Sequence, residues 1–427
     1  MFDRNAMAEQ AILVHVYFPQ AQACEDLHEL QMLVSSAGVS TLAVVACNRP
    51  TIDAKLFVGS GKAQEIAEQV LAHNAQVVIF NHALSPAQTR NLERILQCRV
   101  IDRTTLILDI FAQRARSYEG KLQVELAQLK HLASRLIRGF DNERQKGGIG
   151  LRGPGETQLE TDRRLLRDRI AALYQKLEKV GRQREQGRKA RQRAEIPVIS
   201  LVGYTNAGKS TLFNRLTSAD VYAADQLFAT LDPTLRQVRI ADFGQLIFAD
   251  TVGFIRHLPH DLVAAFKSTL QESREADLQL HIIDVADERM SDNIEQVNHV
   301  LHEIEADGVP QLLVFNKIDA VSQVARIEYN ETALPCAVYI SARADQGIDL
   351  LLQAITKLLS DSFERIQLRL PPTAGHWRAK LHQLGAVQQE HYETDGDCCL
   401  EVALPRAQWA RLLKLSDGLL QNFIVSS

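Results

Sequence analysis

The sequence predicts an α/β protein in which a central, doubly wound and mostly parallel sheet is flanked by smaller folded parts. Short apolar runs at 198–202, 245–249 and 311–315 are typical of buried strands, and each is followed by a turn rich in Gly, Asp or Asn. The first 115 residues alternate between strand-like and helix-like segments. A chain of 427 residues is long enough for about three domains.

The first part, residues 1–115, predicts an α/β domain of its own. Strands are expected at 11–18, 40–46 and 76–80, and helices at 22–36, 63–73 and 86–97. The string Gly59-Ser60-Gly61-Lys62 looks like half of a phosphate-binding loop, but Leu56 stands where the first glycine is needed and Ala63 where Ser or Thr is needed. We therefore expect a turn or a surface contact loop there.

The second part, residues 116–195, predicts a hairpin of two helices joined by a glycine-rich loop. Apolar residues at a spacing of three or four mark a first helix and a second one that begins near Glu160. These residues are Leu122, Leu126, Leu129, Leu132 and Leu136 in the first helix, and Leu166, Ile170, Leu173, Leu177 and Val180 in the second.

Positive charge is concentrated in this hairpin. Residues 135–195 contain 17 Lys or Arg and 9 Asp or Glu, whereas the whole chain has a net charge of −4, so the rest of the chain sums to −12. This pattern favours a polyanionic partner, RNA rather than DNA, although a solvated helix pair with internal ion pairs is the alternative. The candidate contacts are Arg152, Arg163, Arg164, Arg182, Arg184, Arg188, Lys189, Arg191 and Arg193.

The third part, residues 196–362, begins with a strand, a phosphate-binding loop and a helix. The loop has the pattern G-x-x-x-x-G-K-[ST], in which glycines let the backbone N–H groups face phosphate oxygens. Lys209 is expected to reach the β- and γ-phosphates, and the Ser210 hydroxyl to bind Mg²⁺. The loop and its next residue are Gly203, Tyr204, Thr205, Asn206, Ala207, Gly208, Lys209, Ser210 and Thr211.

Two further motifs follow strands of the same sheet. In Asp250-Thr251-Val252-Gly253, the aspartate is expected to hold Mg²⁺ and the Gly253 N–H to contact the γ-phosphate. In Asn316-Lys317-Ile318-Asp319, the Asp319 carboxylate can accept from two guanine donors that adenine lacks, which predicts GTP and GDP as ligands. After the next strand, Ser341-Ala342-Arg343 completes the base site, with the Ala342 N–H available to guanine O6.

Together with three neighbouring strings, these motifs resemble the HflX family of GTPases, a branch of the Obg-related group of translation-factor-related GTPases. The strings are DRTTLILDIF, which starts at Asp102, GGIGLRGPGETQLETDRR, which starts at Gly147, and FATLDPT, which starts at Phe228. The resemblance covers about 11–360. It implies GTP hydrolysis with Mg²⁺, binding to the large ribosomal subunit and its rRNA, and dissociation or rescue of stalled or idle ribosomes under stress such as heat shock.

The resemblance also bears on the catalytic residues. It implies that Thr230 is the switch threonine that closes over the γ-phosphate and completes the Mg²⁺ shell, with Thr234 as the competing candidate. The residue after Gly253 is Phe254, where Ras-like enzymes have a glutamine that orients water. We therefore expect slow intrinsic hydrolysis that a partner stimulates. A ribosome-assembly or RNA-remodelling GTPase, or less readily a membrane-associated signalling GTPase, would share these motifs.

The fourth part, residues 363–427, predicts a small α+β domain, ferredoxin-like in its order of strands and helices. Trp377 and Trp409 are expected in its core. The six cysteines lack metal-ligand spacing, and adjacent Cys398 and Cys399 are expected on opposite faces of a strand. Without a signal peptide or a long apolar run, we expect a reduced, cytoplasmic monomer with at most weak membrane association.

Overall fold

Three separate β-sheets organise the described part of the chain. The computed structural model describes residues 9–19, 26–138, 154–193, 196–218, 226–240, 243–256, 270–384, 386–393, 396–405, 409, 412–413, 415–416 and 418–425. The glycine-rich loop and Arg152 lie outside these residues.

The first sheet has four parallel strands in the order β2-β1-β3-β4. The strands are β1 (Gln10–Tyr17), β2 (Ser40–Asn48), β3 (Val77–Phe80) and β4 (Arg99–Asp102), and the helices are α1 (Leu27–Ser36), α2 (Ser60–His73), α3 (Pro86–Leu96) and α4 (Arg103–Arg114). The alternating pattern predicted this α/β arrangement. The last strand and helix were not predicted. The turn or loop expected at Gly59–Lys62 is not found: Gly59 is the N-cap of α2, with φ +81°, and Ser60, Gly61 and Lys62 are the first residues of that helix.

Two long helices follow, and we call them the helical pair: α5 (Tyr118–Arg138) and α6 (Pro154–Arg193). They pack together through Leu122, Leu126 and Leu173, with Leu129, Ile170 and Leu177 around them. All six belong to the predicted apolar stripes, so the predicted helical periodicity is confirmed. The second helix begins six residues before the predicted start near Glu160, because Pro154 is well suited to a first helical turn.

The central sheet has seven strands in the order β10-β11-β9-β8-β5-β7-β6. Its strands are β5 (Val198–Gly203), β6 (Thr234–Ile240), β7 (Gly244–Asp250), β8 (Leu278–Asp284), β9 (Gln311–Asn316), β10 (Arg326–Tyr329) and β11 (Pro335–Tyr339). Only the two edge strands run antiparallel to their neighbours. Its helices are α7 (Lys209–Thr217), α8 (Gln271–Arg274), α9 (Met290–Glu303) and α10 (Ile348–Ser362). This is the doubly wound, mostly parallel sheet that the apolar runs predict.

The last sheet is antiparallel, with the strand order β12-β14-β13. It comprises β12 (Phe363–Leu370), β13 (Val387–Tyr392) and β14 (Cys398–Pro405), with helix α11 (Gly375–Gln383) between the first two strands. Trp377 and Trp409 lie in its core, as predicted. In the part of this domain that the structure describes there are three strands, whereas a ferredoxin-like sheet has four.

One hydrophobic cluster joins the first domain to the central one. Leu33, Ile107 and Phe111 of the N-terminal domain lie in the same buried cluster as Phe228 and Phe254 of the central domain. A shared core of this kind restricts relative motion of the two domains, because separating them would expose apolar surface.

Cys398 is buried and Cys399 is partly exposed, as alternation along a strand requires. Within the described residues, no helix combines the length and the apolar character that a membrane span needs.

Candidate nucleotide-binding site

The phosphate-binding loop links the end of β5 to the start of α7. Gly203 and Gly208 have φ angles of +149° and +95°, in the region that favours glycine. A side chain could not be added at either position, because a Cβ at Gly203 would lie 2.3 Å from the Ile282 oxygen and one at Gly208 would lie 2.3 Å from Asn316 Nδ2. The loop conformation therefore depends on both glycines.

Lys209 lies at the start of α7 with its ammonium group inside the loop. Its Nζ donates to the carbonyl oxygens of Gly203 at 3.1 Å and Tyr204 at 2.7 Å. Burial lowers the pKa of Lys209 to about 8, and nearby Asp250 opposes this shift. Within the described part of the chain the hydrogen bonds of this buried ammonium go to carbonyl oxygens, so its charge is available to neutralise a phosphate.

Three side-chain oxygens from distant parts of the sequence meet beside Lys209. Ser210 Oγ lies 2.8 Å from Thr230 Oγ1 and donates to Asp250 Oδ2 at 2.9 Å, and Thr230 Oγ1 donates to the same carboxylate oxygen at 3.0 Å. Among the residues that the structure describes, Asp250 Oδ1 is buried without a hydrogen-bond partner. Hydroxyl and carboxylate oxygens are ligands that Mg²⁺ prefers, so this donor set fits the metal.

Thr234, the competing candidate, occupies a different position. It is the first residue of β6 and is the ladder partner of Asp250. Its backbone is therefore fixed in the sheet, whereas Thr230 lies in the preceding loop. The sequence did not distinguish the two threonines because they are four residues apart in the same turn-rich segment.

The segment after Asp250 contacts the phosphate-binding loop through its backbone. The Thr205 N–H donates to the Phe254 oxygen at 2.7 Å, and the Phe254 N–H donates to the Gly203 oxygen at 3.1 Å. Thr251 Oγ1 donates to the Leu201 oxygen at 2.6 Å, and Val252 is buried. The Phe254 side chain is also buried, in the cluster shared with the N-terminal domain, and it offers no group to orient water.

Gly253 lies against the lysine. A Cβ added there would come within 3.0 Å of Lys209 Nζ and 2.9 Å of Thr205 Cγ2. Any side chain at this position would therefore displace the lysine or the loop.

The opposite end of the site is braced by Asn316. Its Nδ2 donates to the Ala207 oxygen at 2.9 Å, and its Oδ1 accepts from the Ala342 N–H at 3.0 Å. One buried amide thus joins the phosphate-binding loop, β9 and the loop after β11. The Ala342 N–H, predicted to face guanine O6, is bonded to Asn316 in the structure, and its contact with the base stays a prediction.

The remaining residues of the base site lie at the edge of the sheet. Lys317 has φ +66° and its Nζ pairs with the Asp284 carboxylate at 2.7 Å. Asp319 lies in a short 3₁₀ turn with its side chain exposed, Ser341 is buried, and Arg343 is exposed. An exposed carboxylate at this position is accessible to a ligand.

Protein-family models match three consecutive parts of the chain. They are a GTP-binding GTPase N-terminal region at 24–112, a GTP-binding GTPase middle region at 114–191, and a 50S ribosome-binding GTPase at 198–317. The GTPase HflX of Escherichia coli (strain K12) is 60% identical over 426 residues, which cover 99% of this chain and 100% of that protein. The chain belongs to the HflX family of GTPases. It binds GTP and hydrolyses it to GDP.

Two further comparisons give lower identities to this HflX GTPase. The GTPase HflX of Magnetococcus marinus is 44% identical over 392 residues, with 91% of this chain and 90% of that protein covered. Among solved structures, a GTP-binding protein from Sulfolobus solfataricus in complex with GDP is 25% identical. That comparison covers 83% of this chain and 99% of the other, with a TM-score of 0.45.

A buried polar network under the phosphate-binding loop was not predicted. The Glu29 carboxylate, from α1, accepts from Tyr204 Oη at 2.6 Å and pairs with Arg103, and both charged side chains are 4% exposed. Arg103 also donates to the Arg256 oxygen at 3.3 Å, and the Arg256 N–H donates to Tyr204 Oη at 3.1 Å. Burial, and then the Glu29 charge, raises the pKa of Tyr204.

Sequence reasoning missed this network because its members come from four segments far apart in the chain. The sequence around Glu29 does not show that its charge is buried, because a solvent-exposed glutamate could occupy the same position in the helical pattern. The HflX GTPase thus carries a polar contact from its N-terminal domain to two parts of the nucleotide site.

Most of the predicted RNA contacts lie on the second helix of the helical pair. Arg164 is exposed, Arg163 is partly exposed, and Arg182 is exposed and pairs with Glu178 at 2.7 Å. Arg184, Arg188, Lys189, Arg191 and Arg193 belong to the same helix, and their side chains lie outside the described part of the structure.

Proposed function

We propose that this HflX GTPase hydrolyses GTP with Mg²⁺ bound by Ser210, Thr230 and Asp250, and that the large ribosomal subunit stimulates the reaction. The observation that carries the proposal is the meeting of these three side-chain oxygens within 3.0 Å beside Lys209. The Asp250 oxygen that lacks a partner supports it, because a buried acceptor without a donor is costly unless a ligand satisfies it.

The residues of the phosphate end bind and orient the triphosphate. The loop N–H groups and the Lys209 ammonium contact the β- and γ-phosphates, and the Gly253 N–H contacts the γ-phosphate. Bound Mg²⁺ supplies positive charge that offsets the charge on the phosphate oxygens. Thr230 closes over the γ-phosphate through its hydroxyl, so the contacts of this hydroxyl with Ser210 and Asp250 depend on whether that group is present.

The residues of the base end select guanine. Asp319 accepts from N1–H and the 2-amino group, and the Lys317 stem covers the base plane. Asn316, Ser341, Ala342 and Arg343 shape the loop around it. An adenine base would leave the Asp319 carboxylate without its two donors.

Intrinsic hydrolysis is slow in this proposal. Phe254 cannot hydrogen-bond to water and its side chain is buried, so the nucleophile is not oriented by the residue that does so in Ras-like enzymes. We expect a rate on the order of 10⁻⁴ to 10⁻² s⁻¹ for the isolated protein.

The partner is the ribosome, through its large subunit and rRNA. The family model at 198–317 is described as a 50S ribosome-binding GTPase, and the basic residues of α6 give this acidic chain a surface for RNA phosphates. In the GTP state the protein dissociates or rescues stalled or idle ribosomes under stress, including heat shock. A monomer is sufficient, since each part of the site comes from one chain.

The test is co-sedimentation with ribosomes in the presence of a non-hydrolysable GTP analogue, GDP or no nucleotide, with the GTPase rate measured in parallel. Tighter binding with the analogue and a faster rate with ribosomes are expected. Equal, weak binding in all three states without stimulation would remove the ribosome from the proposal.

Sucrose-gradient analysis of mature 70S ribosomes separates the proposal from its rivals. Splitting into subunits on addition of protein and GTP supports dissociation. Binding only to immature particles would instead favour an assembly or RNA-remodelling GTPase, and binding to anionic vesicles a membrane-associated one.

A further inference from the structure

The switch segment, defined here as residues 226–232, is attached to the N-terminal domain. The Leu227 N–H donates to Ser36 Oγ, at the end of α1, at 2.8 Å. The Phe228 ring packs edge-on against Phe111 of α4 with 4.6 Å between ring centroids. Both switch residues are 2% exposed or less, so the segment is part of the interdomain core rather than a free loop.

The other end of the switch segment is attached to the helical pair. Asp232 Oδ2 accepts from the N–H groups of Arg116 at 2.9 Å and Ser117 at 2.7 Å, and Asp232 Oδ1 accepts from the Ser117 hydroxyl. These donors precede the first turn of α5, where a carboxylate is favoured by the helix dipole. Three hydrogen bonds to a charged acceptor make this a strong attachment.

A glycine makes room for this carboxylate. Gly120 lies in α5, and a Cβ added there would be 2.1 Å from Asp232 Oδ1. Glycine in a helix costs about 0.5–1 kcal/mol relative to alanine, so local helix stability does not account for its presence. The close approach of Asp232 does.

Asp232 is only two residues from Thr230. The residue between them, Leu231, is 3% exposed and packs in the interdomain cluster. The backbone from Thr230 to Asp232 therefore has little freedom, and a displacement of Asp232 must move Thr230 relative to Ser210 and Asp250.

We infer that Asp232 is a positioning residue for hydrolysis: anchored on α5, it holds the Thr230 hydroxyl at the Mg²⁺ site and couples that site to the helical pair. The inference rests on the proposed Mg²⁺ role of Thr230. It adds a route by which a partner bound to the helical pair alters the phosphate end of the site.

Two substitutions break the attachment from opposite sides. Asp232→Ala removes the acceptor, and Gly120→Ala pushes it away while improving the helix propensity of α5. Each is expected to raise the Mg²⁺ concentration for half-maximal GTP hydrolysis about tenfold and to lower kcat, because an ordered ligand is lost from the site. Affinity for GDP should stay unchanged, since Thr230 closes over the γ-phosphate.

Gly181→Ala is the matched control, because it also replaces a helix glycine, on α6, where an added Cβ has no neighbour within 4 Å. It should behave like the wild type. In the Thr230→Ala background, Asp232→Ala should cause no further loss, since it acts through that threonine.

A different pattern of effects is expected if Asp232 only caps α5 and has no influence on the Mg²⁺ site. If Asp232→Ala and Gly120→Ala lower the melting temperature but leave the Mg²⁺ dependence and kcat at wild-type values, the inference is wrong while the proposed Mg²⁺ site stands. If Thr230→Ala alone leaves both unchanged, the proposed role of Thr230 fails, and this inference fails with it.

Discussion

The two ends of the nucleotide site are built in different ways. The base end is held by contacts within the central domain, of which the Asn316 amide and the Lys317–Asp284 pair are the main ones. The phosphate end is held in part by the N-terminal domain and by α5, through Glu29 under Tyr204 and through the donors around Asp232.

Because the two ends are built differently, guanine selectivity and GTP turnover should depend on different parts of the chain. If the proposed roles hold, recognition of guanine depends on one edge of one sheet and should be intrinsic to the central domain. Hydrolysis would then depend on groups that two other parts of the chain position, and a partner that contacts those parts could control it. The predictions below test that separation.

The largest effect is expected for Lys209→Ala at the phosphate end. Loss of the buried ammonium removes the main positive charge from the phosphates, and hydrolysis should fall by at least about 10³-fold with loss of GTP and GDP binding. Nucleotide titration and a phosphate-release assay measure this. Lys62→Ala is the control, because Lys62 lies in the glycine-containing string of α2 that only resembles a phosphate-binding loop. Retained GDP affinity in Lys209→Ala would contradict the assignment.

Glu29→Gln tests the contribution of the N-terminal domain. It keeps the side-chain shape but leaves Arg103 buried without its counter-charge, which should lower the free energy of unfolding by about 3–5 kcal/mol. Denaturant unfolding measures this loss, and the preference for GTP over ATP should survive in the folded fraction. Glu9→Gln, at an exposed pair with Arg99, should cost less than about 1 kcal/mol. Equal losses in the free energy of unfolding for both variants would show that burial of the Glu29–Arg103 pair does not increase its contribution to stability.

His281 predicts a dependence of stability on pH. It lies in β8, 1% exposed, and burial lowers its pKa to about 4 from 6.5. The unfolded chain binds this proton more readily than the folded one, so stability is complete above pH 6.5 and is lost as the pH falls toward 4. The loss from this residue amounts to about 3 kcal/mol.

The measurement is the free energy of unfolding between pH 4 and pH 7.5 in the wild type and in His281→Gln. The variant cannot take up the proton, so its curve should be flatter over this range. Parallel curves would show that other groups account for the slope.

The smallest of these effects is expected for Asp319→Asn at the base end. The amide cannot accept from both guanine donors, so the preference for GTP over ATP should fall by about 10²-fold while kcat for bound GTP changes little. Competition binding with both nucleotides measures it, with Asp307→Asn as an exposed control. An intact preference would mean that guanine is recognised elsewhere.

Motif spacing predicted the nucleotide residues because each motif is local. The phosphate-binding loop, the Asp250 turn and the Asn316 turn each follow a strand of one parallel sheet, and the carboxyl ends of such strands share an edge. The helical pair was predictable for a similar reason, since its apolar stripe repeats within each helix. The C-terminal domain was harder, because a short run of strands and helices does not fix the number of strands in a sheet.

The sequence by itself predicted the chemistry of the site: Lys209, Ser210 and Asp250 for phosphate and metal, and Asp319 for the base. Tertiary structure alone placed the Thr230 hydroxyl beside Ser210 and Asp250. It alone brought Glu29 to Arg103 and Asp232 to Ser117, pairs that are 74 and 115 residues apart. The physical reason is the sequence separation of the residues that make contact. A motif is read from neighbours along the chain, whereas a contact between domains depends on how their surfaces pack, which no local pattern records.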